Sequence, residues 1–238
     1  MEIVGNQKIS FVVLYTDDDK HFLQGLFESL PDYTELILIK TIESNETKVK
    51  YFGTKIQNRV LISEYEINYK ELDLAHFRNI GKSYASCDWI VSLDADERIA
   101  ISQADIDLIT KQHAQIGGVT VNLMSYINDG AKGQTHVIQP VRIFRKDFTW
   151  RYRIHEQIAQ DITEKGYHLR GSDIMIRHLG YSTDEIKNRK LARNLKPLLK
   201  EVLENNNDFT FFKLWQTVNA MIPNNQNYKE LAKNDNSK

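Results

Sequence analysis

Three acidic side chains follow a short apolar run, and their spacing indicates a site for a divalent cation. Residues 90–93 are typical of a buried strand of a parallel sheet, and Asp94, Asp96 and Glu97 come directly after them. Ligands of open α/β sheets bind at the carboxyl ends of the strands, where this turn is expected. Neighbouring carboxylates repel each other unless a cation lies between them, and Mg²⁺ or Mn²⁺ can bridge such oxygens to a phosphate. The segment therefore predicts a metal–diphosphate site, with a solvated acidic turn as the alternative.

The elements around this turn predict an α/β fold. Apolar runs of strand length alternate with helical periodicity in the order β-α-β-β-α-β, which indicates a doubly wound, mainly parallel sheet. Strands are expected at 9–15, 35–39, 60–62, 90–93, 119–127 and 140–144, and helices at 22–30, 73–86 and 102–115. Residues 43–58 have no assignment, and residues 154–158 are expected to be extended. We divide the chain into an α/β domain, 1–182, and a small helical C-terminal extension, 183–238, with a bend or restart near Pro197.

Several motifs follow one another along the α/β domain. Residues 75–81 read Ala-His-Phe-Arg-Asn-Ile-Gly, and residues 93–97 read Leu-Asp-Ala-Asp-Glu. Arg-Ile-Phe-Arg at 142–145, Arg-Ile-His-Glu at 153–156 and His-Leu-Gly-Tyr at 178–181 come later. Together with the strand at 9–15, this order resembles the nucleotide-sugar domain of family 2 glycosyltransferases, and the later motifs resemble the bacterial β-glucosyltransferases of lipopolysaccharide-core type. The resemblance covers about residues 8–200 and implies a Rossmann-like, A-type glycosyltransferase fold for the catalytic domain.

The resemblance also implies an activity, which is the inverting, metal-dependent transfer of a sugar to an acceptor hydroxyl. The expected donor is a UDP-sugar carrying a hexose, and the expected cofactor is Mn²⁺ or Mg²⁺. By this likeness Asp96 binds the metal and the diphosphate, Asp94 lies near the ribose or the sugar, and Thr16 and Asp18 hold the nucleotide. His178 either completes the metal shell or is a hydrogen-bonded core residue.

Glu156 is the candidate general base that takes the proton of the acceptor hydroxyl, because it follows an aromatic and basic segment at the far end of the domain. An ion pair with Arg151 or Arg153 is the structural alternative. His155 is grouped with the donor site, where it either contacts phosphate or orients Glu156. Arg78 either contacts the diphosphate or clamps the acidic turn, and we favour the clamp.

The chain departs from the family pattern after the second strand. Residues 40–43, Lys-Thr-Ile-Glu, replace an acidic segment that often contacts the base in this family, which leaves the identity of the nucleotide open. Lys40 either faces the diphosphate or ends a strand in solvent, and we favour the second.

Composition and missing motifs exclude some classes of protein and leave two rivals. A net charge of −1 gives no global field toward nucleic acid, and a single cysteine, Cys87, excludes an intramolecular disulfide. A phosphate-binding P-loop and a nucleophile elbow are both missing from the sequence. A nucleotidyltransferase and a non-catalytic nucleotide-sugar binding module remain as alternatives, although the former usually has a glycine-rich basic loop near its N-terminus.

The acceptor is expected to be a saccharide of a surface glycolipid, with a modified nucleic-acid base or a protein as alternatives. One face of the first C-terminal helix is basic, and it is either solvated or close to an anionic acceptor, membrane surface or DNA: Lys187, Arg189, Lys190, Arg193 and Lys196. An aromatic stripe at 211–215 is expected to pack in a core.

The sequence has no signal pattern and no apolar run of spanning length, so we expect a cytoplasmic protein with optional peripheral contact at the inner face of a membrane.

Overall fold

The computed structural model describes residues 8–32, 34–57, 59–127, 134–179 and 184–221. The strands in these ranges are β1 Ser10–Tyr15, β2 Glu35–Glu43, β3 Lys48–Gln57, β4 Val60–Tyr69, β5 Trp89–Asp94, β6 Glu97–Ala100, β7 Ile116–Ile127, β8 Gln134–Ile138, β9 Val141–Arg145 and β10 His168–His178. A 3-10 helix spans Asp17–Phe22. The α-helices are α1 Leu23–Ser29, α2 Leu74–Ser83, α3 Gln103–Thr110, α4 Ala159–Glu164, α5 Asp184–Glu204 and α6 Asp208–Met221.

One mixed sheet has the order β3-β4-β2-β1-β5-β9-β7-β10-β6, with β8 paired to β7. Its centre, β4-β2-β1-β5, is parallel throughout. Beyond β5 the pairings are antiparallel except for β7 with β10. The predicted α/β fold with a mainly parallel central sheet is therefore confirmed.

Strand β1 is buried on both faces, which explains its unbroken apolar sequence. Phe11 and Val13 belong to one core, and Val12 and Leu14 belong to the other. Side chains of a strand alternate between the faces of a sheet, so a strand covered on both sides is apolar at successive positions, as residues 11–14 are. β1 therefore lies between the two hydrophobic cores, and a ligand can approach it at its carboxyl end.

Helix α2 packs closely on this sheet. Asp73 accepts a hydrogen bond from the amide N–H of His76 at 2.8 Å, which confirms the predicted N-cap. At Gly81 a Cβ atom would lie 2.6 Å from Cγ1 of Val12 and 2.9 Å from Cγ1 of Ile39. The helix can lie this near to the sheet only because residue 81 has no side chain. The preceding turn of α2, which contains Arg78 and Asn79, therefore lies close to the sheet.

Several sequence expectations need correction. Residues 48–57 form an antiparallel edge strand, β3, which lacks a clean hydrophobic alternation because nearly all of its side chains are exposed. The segment expected to be extended at 154–158 is a loop, closed by a bridge between Arg151 and Gln157. Helix α3 begins at the predicted capping box of Ser102 and Asp105 but ends at Thr110. Besides β3, four elements have no counterpart in the predicted list: β6, β8, β10 and α4.

The chain divides into two compact units between residues 182 and 183. In the second unit, α5 continues through Pro197 without the predicted restart. Asn207 accepts the amide N–H of Thr210 at 3.1 Å at the start of α6, and the two helices pack on each other. None of the helices in the described ranges is both long and apolar enough to cross a bilayer.

Candidate active site

Arg78 lies at the centre of the candidate site. It is 2% exposed, although arginine is rarely buried without partners. Its Nε donates to Oε1 of Glu156 at 2.6 Å, Nη1 to Oγ of Ser92 at 2.8 Å, and Nη2 to Oδ1 of Asp94 at 2.7 Å. Burial disfavours the charge of the guanidinium, but the two carboxylates outweigh it and raise the pKa of Arg78. All three nitrogens serve protein partners, which is the geometry of the predicted clamp.

The loop that carries Glu156 is fixed by the same helix. The side chain of Asn79 donates to the carbonyl oxygen of Trp150 and accepts its amide N–H, both at 2.9 Å. The amide of Leu74, at the start of α2, donates to the carbonyl oxygen of Arg153 at 2.8 Å. The conspicuous Arg-Asn pair of α2 therefore anchors two parts of one distant loop.

This loop contains two strained residues. Tyr152 and His155 have φ values of 69° and 60°, in the left-handed region that side chains with a Cβ disfavour. Two backbone hydrogen bonds between Arg151 and Gln157, at 2.9 and 3.0 Å, close the loop around them. Strain of this kind persists only where surrounding contacts enforce it, and it is frequent at functional sites. The enforced conformation holds Glu156 on Arg78, so the predicted partners Arg151 and Arg153 are not its partners in the described contacts.

Asp94 is the part of the clamp that a ligand can reach. Its side chain is 39% exposed at the carboxyl end of β5, with Nη2 of Arg142 at 4.0 Å from Oδ2. Burial favours the neutral acid, but Arg78 and Arg142 outweigh it and lower the pKa of Asp94 to about 2. Asp94 therefore presents a permanent carboxylate at the sheet edge.

Glu97 is buried beneath the acidic turn and holds it through hydrogen bonds. It is 1% exposed, accepts the amide N–H of Asp94 at 2.9 Å and pairs with Nη2 of Arg142 at 2.8 Å. Burial raises the pKa of Glu97 to about 7 against the opposing charge of Arg142, and the nearby charge of Asp94 adds to the rise. Glu97 and Arg142 lie in the motifs at 93–97 and 142–145, but their types and spacing alone do not indicate that they pair beneath the acidic turn.

The side chains of Asp96 and His178 lie next to each other. Nε2 of His178 lies 3.1 Å from Oδ2 of Asp96, and Nδ1 lies 3.3 Å from Oγ of Ser125. β10 brings the histidine there, because it pairs antiparallel to β6 with His178 opposite Glu97. Burial disfavours protonation of the imidazole, but the hydrogen bond and charge of Asp96 outweigh it and raise the pKa of His178.

The donor set formed by Asp96 and His178 fits a divalent cation in part. In the part of the chain that the structure describes, no group of three or more His, Cys, Asp or Glu side chains could hold a metal. Two protein donors suffice for Mg²⁺ or Mn²⁺ when phosphate oxygens and water complete the shell, which is a common arrangement for Mg²⁺. Nε2 of His178 and Oδ2 of Asp96 lie 3.1 Å apart, so both side chains would be within reach of one bound cation.

The remaining predicted donor residues lie at the same sheet edge or on its loops. Thr16 begins the 3-10 helix after β1, where its hydroxyl donates to Oδ2 of Asp19 at 2.6 Å, and Asp18 is exposed in that helix. The amide of Ala95 donates to the carbonyl oxygen of Leu14, so the acidic turn adjoins the end of β1. His155 is exposed on the strained loop. Thr16 and the acidic turn are thus brought together at the ends of β1 and β5.

Lys40 corrects one expectation directly. It does not end a strand in solvent, because β2 continues to Glu43 and the Lys40 side chain is only 15% exposed. Its Nζ lies 3.1 Å from Oδ2 of Asp17 and 3.2 Å from Oε2 of Glu66. The hydrogen bonds that Lys40 donates to these carboxylates raise the pKa of Lys40. The acid that the family pattern places after the second strand is absent, but Glu66 from the neighbouring strand β4 lies beside this position.

Comparison with known proteins gives only distant likenesses. No protein-family model and no curated protein sequence matches the chain. A crystal structure of S. aureus TarS is similar with a TM-score of 0.46 and 13% identity, covering 82% of this chain and 40% of that one. TarS 1-349 in complex with UDP gives 0.46 and 13%, covering 81% and 66%, and its complex with UDP-GlcNAc gives 0.44 and 13%, covering 90% and 72%. The chain spans less than half of the longer TarS structure, and at these values the residues of the site have to carry any functional conclusion.

Proposed function

We propose that this protein is an inverting, metal-dependent glycosyltransferase that uses a nucleotide-sugar donor, in accord with the family 2 resemblance of its motifs. One observation supports this most strongly. Arg78 contacts both Asp94 and Glu156, and Glu156 lies 78 residues after Arg78 in the sequence. Asp96 contacts His178, which follows it by 82 residues. Residues suited to binding a diphosphate and to removing a proton are thereby held in one site, and such positioning can supply much of a catalytic effect.

Asp96 and His178 are proposed as the protein ligands of Mn²⁺ or Mg²⁺. A bound divalent cation supplies Lewis-acid stabilisation of the charge on a leaving diphosphate. Ser125 holds the far nitrogen of His178, which fixes the ring orientation that ligation needs. Asp94, charged at every physiological pH, is proposed to contact the ribose or sugar hydroxyls of the donor.

Glu156 is proposed as the general base. It accepts the proton of the acceptor hydroxyl as the acceptor oxygen bonds to the anomeric carbon and the bond to the diphosphate breaks. The leaving diphosphate keeps the bonding electron pair, and attack from the opposite side inverts the anomeric centre. Arg78 holds Oε1 of Glu156 at 2.6 Å and leaves the orientation of the carboxylate little freedom. Arg78 is therefore a positioning residue that acts on the donor through Asp94.

A UDP-sugar, expected to carry a hexose, is the proposed donor, with Thr16, Asp18 and His155 proposed as further donor contacts. The proposed acceptor is a saccharide of a surface glycolipid. A modified nucleic-acid base and a protein side chain are the acceptors to test next. The resemblance to enzymes of lipopolysaccharide-core type supports this order.

A thermal-shift panel tests the donor site. Wild type, Asp96→Asn and Asp88→Asn are melted with UDP-, GDP-, CDP- and dTDP-sugars, each with and without Mn²⁺. Asp88 is exposed and precedes β5, so it is a matched acidic control outside the site. A ligand at a hundredfold excess over its Kd stabilises the fold by about 2.7 kcal/mol. We expect one nucleotide class to shift wild type and Asp88→Asn with Mn²⁺ and to leave Asp96→Asn unchanged.

Slow release of the nucleoside diphosphate without acceptor separates a transferase from its rivals. A transferase hydrolyses its donor slowly with water as the acceptor, whereas a binding module shows the thermal shift alone. A nucleotidyltransferase releases pyrophosphate from a nucleoside triphosphate instead. If no nucleotide-sugar shifts the melting temperature of the wild type, the proposed function is wrong.

A further inference from the structure

Helix α6 carries an apolar face that is turned outward. Phe211, Phe212 and Trp215 are exposed, with Trp215 at 63%, while Thr210 and Thr217 on the same helix are buried. A helix that packs only within its own protein has the reverse pattern, with apolar residues inside. The sequence predicted this stripe as core, so the exposure corrects that expectation.

These side chains form one continuous surface. Phe211, Trp215 and Val218 recur at i, i+4 and i+7 and so share one side of the helix. The ring of Phe212 stacks on that of Trp215, with centroids 6.1 Å apart and planes inclined by 19°. Exposed apolar surfaces of this kind mark interaction sites more often than scattered single residues do. We call this set the aromatic face.

Helix α5 adds basic and apolar side chains. Leu199 and Leu203 are 46% and 85% exposed. Arg189 and Lys196 are exposed as well, and Arg189, Lys196 and Leu203 follow one another at intervals of seven residues. Seven residues are nearly two helical turns, so these groups share one side of α5. Among neighbouring acids, Glu204 lies 3.7 Å from Lys200 and offsets its charge in part.

The positive charge of the C-terminal unit favours an anionic partner. Residues 183–238 contain ten Lys and Arg against seven Asp and Glu, although the whole chain carries −1. On α6, Nζ of Lys213 lies 5.7 Å from the centroid of the Phe212 ring. Aromatic and aliphatic side chains beside Lys and Arg are the composition of helices that lie in the interface of an anionic bilayer. A neutral apolar protein groove would gain nothing from the basic residues.

We propose that α5 and α6 bind the surface of an anionic lipid bilayer. Phe211, Trp215 and Val218 enter the boundary between head groups and acyl chains, and Arg189 and Lys196 contact the lipid head groups. This inference does not depend on the proposed donor site. If both hold, the surface brings the enzyme to the membrane in which a glycolipid acceptor resides.

Tryptophan fluorescence and vesicle sedimentation test the inference on the full chain. The chain has three tryptophans, and Trp89 and Trp150 are only 2% and 5% exposed, so a blue shift on addition of vesicles reports Trp215. Vesicles of phosphatidylcholine alone are compared with vesicles of phosphatidylcholine and phosphatidylglycerol in equal amounts. We expect the blue shift and sedimentation only with the anionic vesicles, and their loss at high salt.

Matched variants locate the surface. Arg189→Glu/Lys196→Glu is expected to weaken binding to anionic vesicles roughly tenfold or more, because each basic residue near such a surface contributes about a factor of five. Phe211→Gln/Val218→Gln is expected to weaken it by a similar factor, because two apolar side chains no longer enter the bilayer interface. Val49→Thr/Ile56→Thr on β3 removes equally exposed apolar side chains elsewhere and is expected to bind as wild type does. Asp96→Asn is also expected to bind vesicles normally, which separates this inference from the donor site.

Three results would overturn the inference. Wild type that stays in the supernatant with anionic vesicles has no such surface. Loss of binding in the β3 variant, with retention in both helix variants, places the surface elsewhere. A wild-type dimer in light scattering that Phe211→Gln/Val218→Gln dissociates, without vesicle binding, makes the aromatic face a contact between two copies.

Discussion

Arg78 governs the site at the scale of single residues. Its fixed planar fork reaches Glu156, Ser92 and Asp94 at once, which a lysine cannot do with a single nitrogen. Two carboxylates with different proposed tasks are thereby held in fixed orientation. The chemistry of Glu156 and of the Asp96–His178 pair can be tested separately, because no described contact joins them directly.

Replacing Glu156 by Gln tests the general base. Gln keeps an oxygen for Nε of Arg78 but cannot accept the proton, so kcat is expected to fall about a thousandfold, within the usual range for a general base. Donor binding by thermal shift should be nearly unchanged. Glu28→Gln, on the exposed side of α1, is the control and should retain full activity. Near-normal turnover of Glu156→Gln would exclude this residue as the base.

Replacing His178 by Ala tests metal ligation. Loss of one of two protein ligands is expected to raise the Mn²⁺ concentration for half-maximal activity at least tenfold. Ser125→Ala removes only the contact at Nδ1 and should have a smaller effect in the same direction. A Mn²⁺ titration of His178→Ala that overlays the wild-type curve would make His178 a structural partner of Asp96.

Among the secondary-structure elements, α2 and α4 position the loop that connects β9 to α4 and carries Glu156. Helix α2 lies against the sheet through Gly81 and holds the loop through Asn79. Helix α4 holds the start of the same segment through Asp161, which accepts the amide N–H of Thr149 at 2.9 Å. The strain at His155 is therefore balanced by contacts from two helices.

A methyl group at Gly81 should destabilise the protein. Ala is normally better than Gly in a helix by about 1 kcal/mol, but here Cβ would lie 2.6 Å from Val12. Overpacking of a core costs about 1–3 kcal/mol, so Gly81→Ala is expected to lower the free energy of unfolding by about 1–2 kcal/mol in urea denaturation. Ser83→Ala, exposed on the same helix, should change it by less than about 0.5 kcal/mol. An increase in stability for Gly81→Ala would show that the sheet yields at this point.

Asp161 should make stability depend on pH in acid. Burial of the carboxylate is outweighed by hydrogen bonds from Lys165, Thr149 and Arg151, which lower the pKa of Asp161 below its ordinary 3.8. The unfolded state then binds more protons than the native state, so this contribution is complete above pH 3.8 and is lost as the pH falls through the folded pKa.

The pH dependence of an Asp161→Asn variant measures this contribution. Asp161→Asn is expected to cost about 1–3 kcal/mol at pH 7, and the difference from wild type should shrink below about pH 4. Asp105→Asn, at the exposed cap of α3, is the control for a less buried carboxylate. A difference that is independent of pH would mean that Asp161 acts through its shape alone.

At the scale of the whole molecule, the site exists only because distant parts of the α/β unit meet. β5 and the 150–157 loop are separated by β6 to β9, and β10 returns His178 to the turn that ends β5. Coupling energies between these parts should therefore be measurable, since substitutions within one network of contacts change the free energy of unfolding non-additively.

A double-mutant cycle on Arg78 and Glu156 measures that coupling. Arg78→Met leaves two carboxylates without their buried partner and is expected to cost about 3–5 kcal/mol of unfolding free energy. Combined with Glu156→Gln it should cost at least 1 kcal/mol less than the two single changes together. Arg59→Met, which removes an ion pair with Asp32 at an exposed position, should cost under about 1 kcal/mol. Full additivity would show that Arg78 and Glu156 are not energetically linked.

The sequence by itself determined the features that depend on neighbours in the chain. The strand before the acidic turn follows from its apolar run, and the caps at Asp73 and Ser102 follow from side chains that reach amides three residues later. Only the family resemblance of the motifs groups Asp96 with His178, by assigning both to the metal, and their contact across 82 residues depends on the folded chain.

Tertiary structure alone decided the features that depend on residues far away. Glu156 pairs with Arg78 rather than with the arginines beside it, Lys40 is held by Glu66 of another strand, and β3 is a strand because it adds to the edge of β4. The aromatic face of α6 has helical spacing that fits a core as well as a surface. Periodicity gives the side of a helix on which residues lie, whereas which side is covered depends on what packs against it, and only the folded chain supplies that.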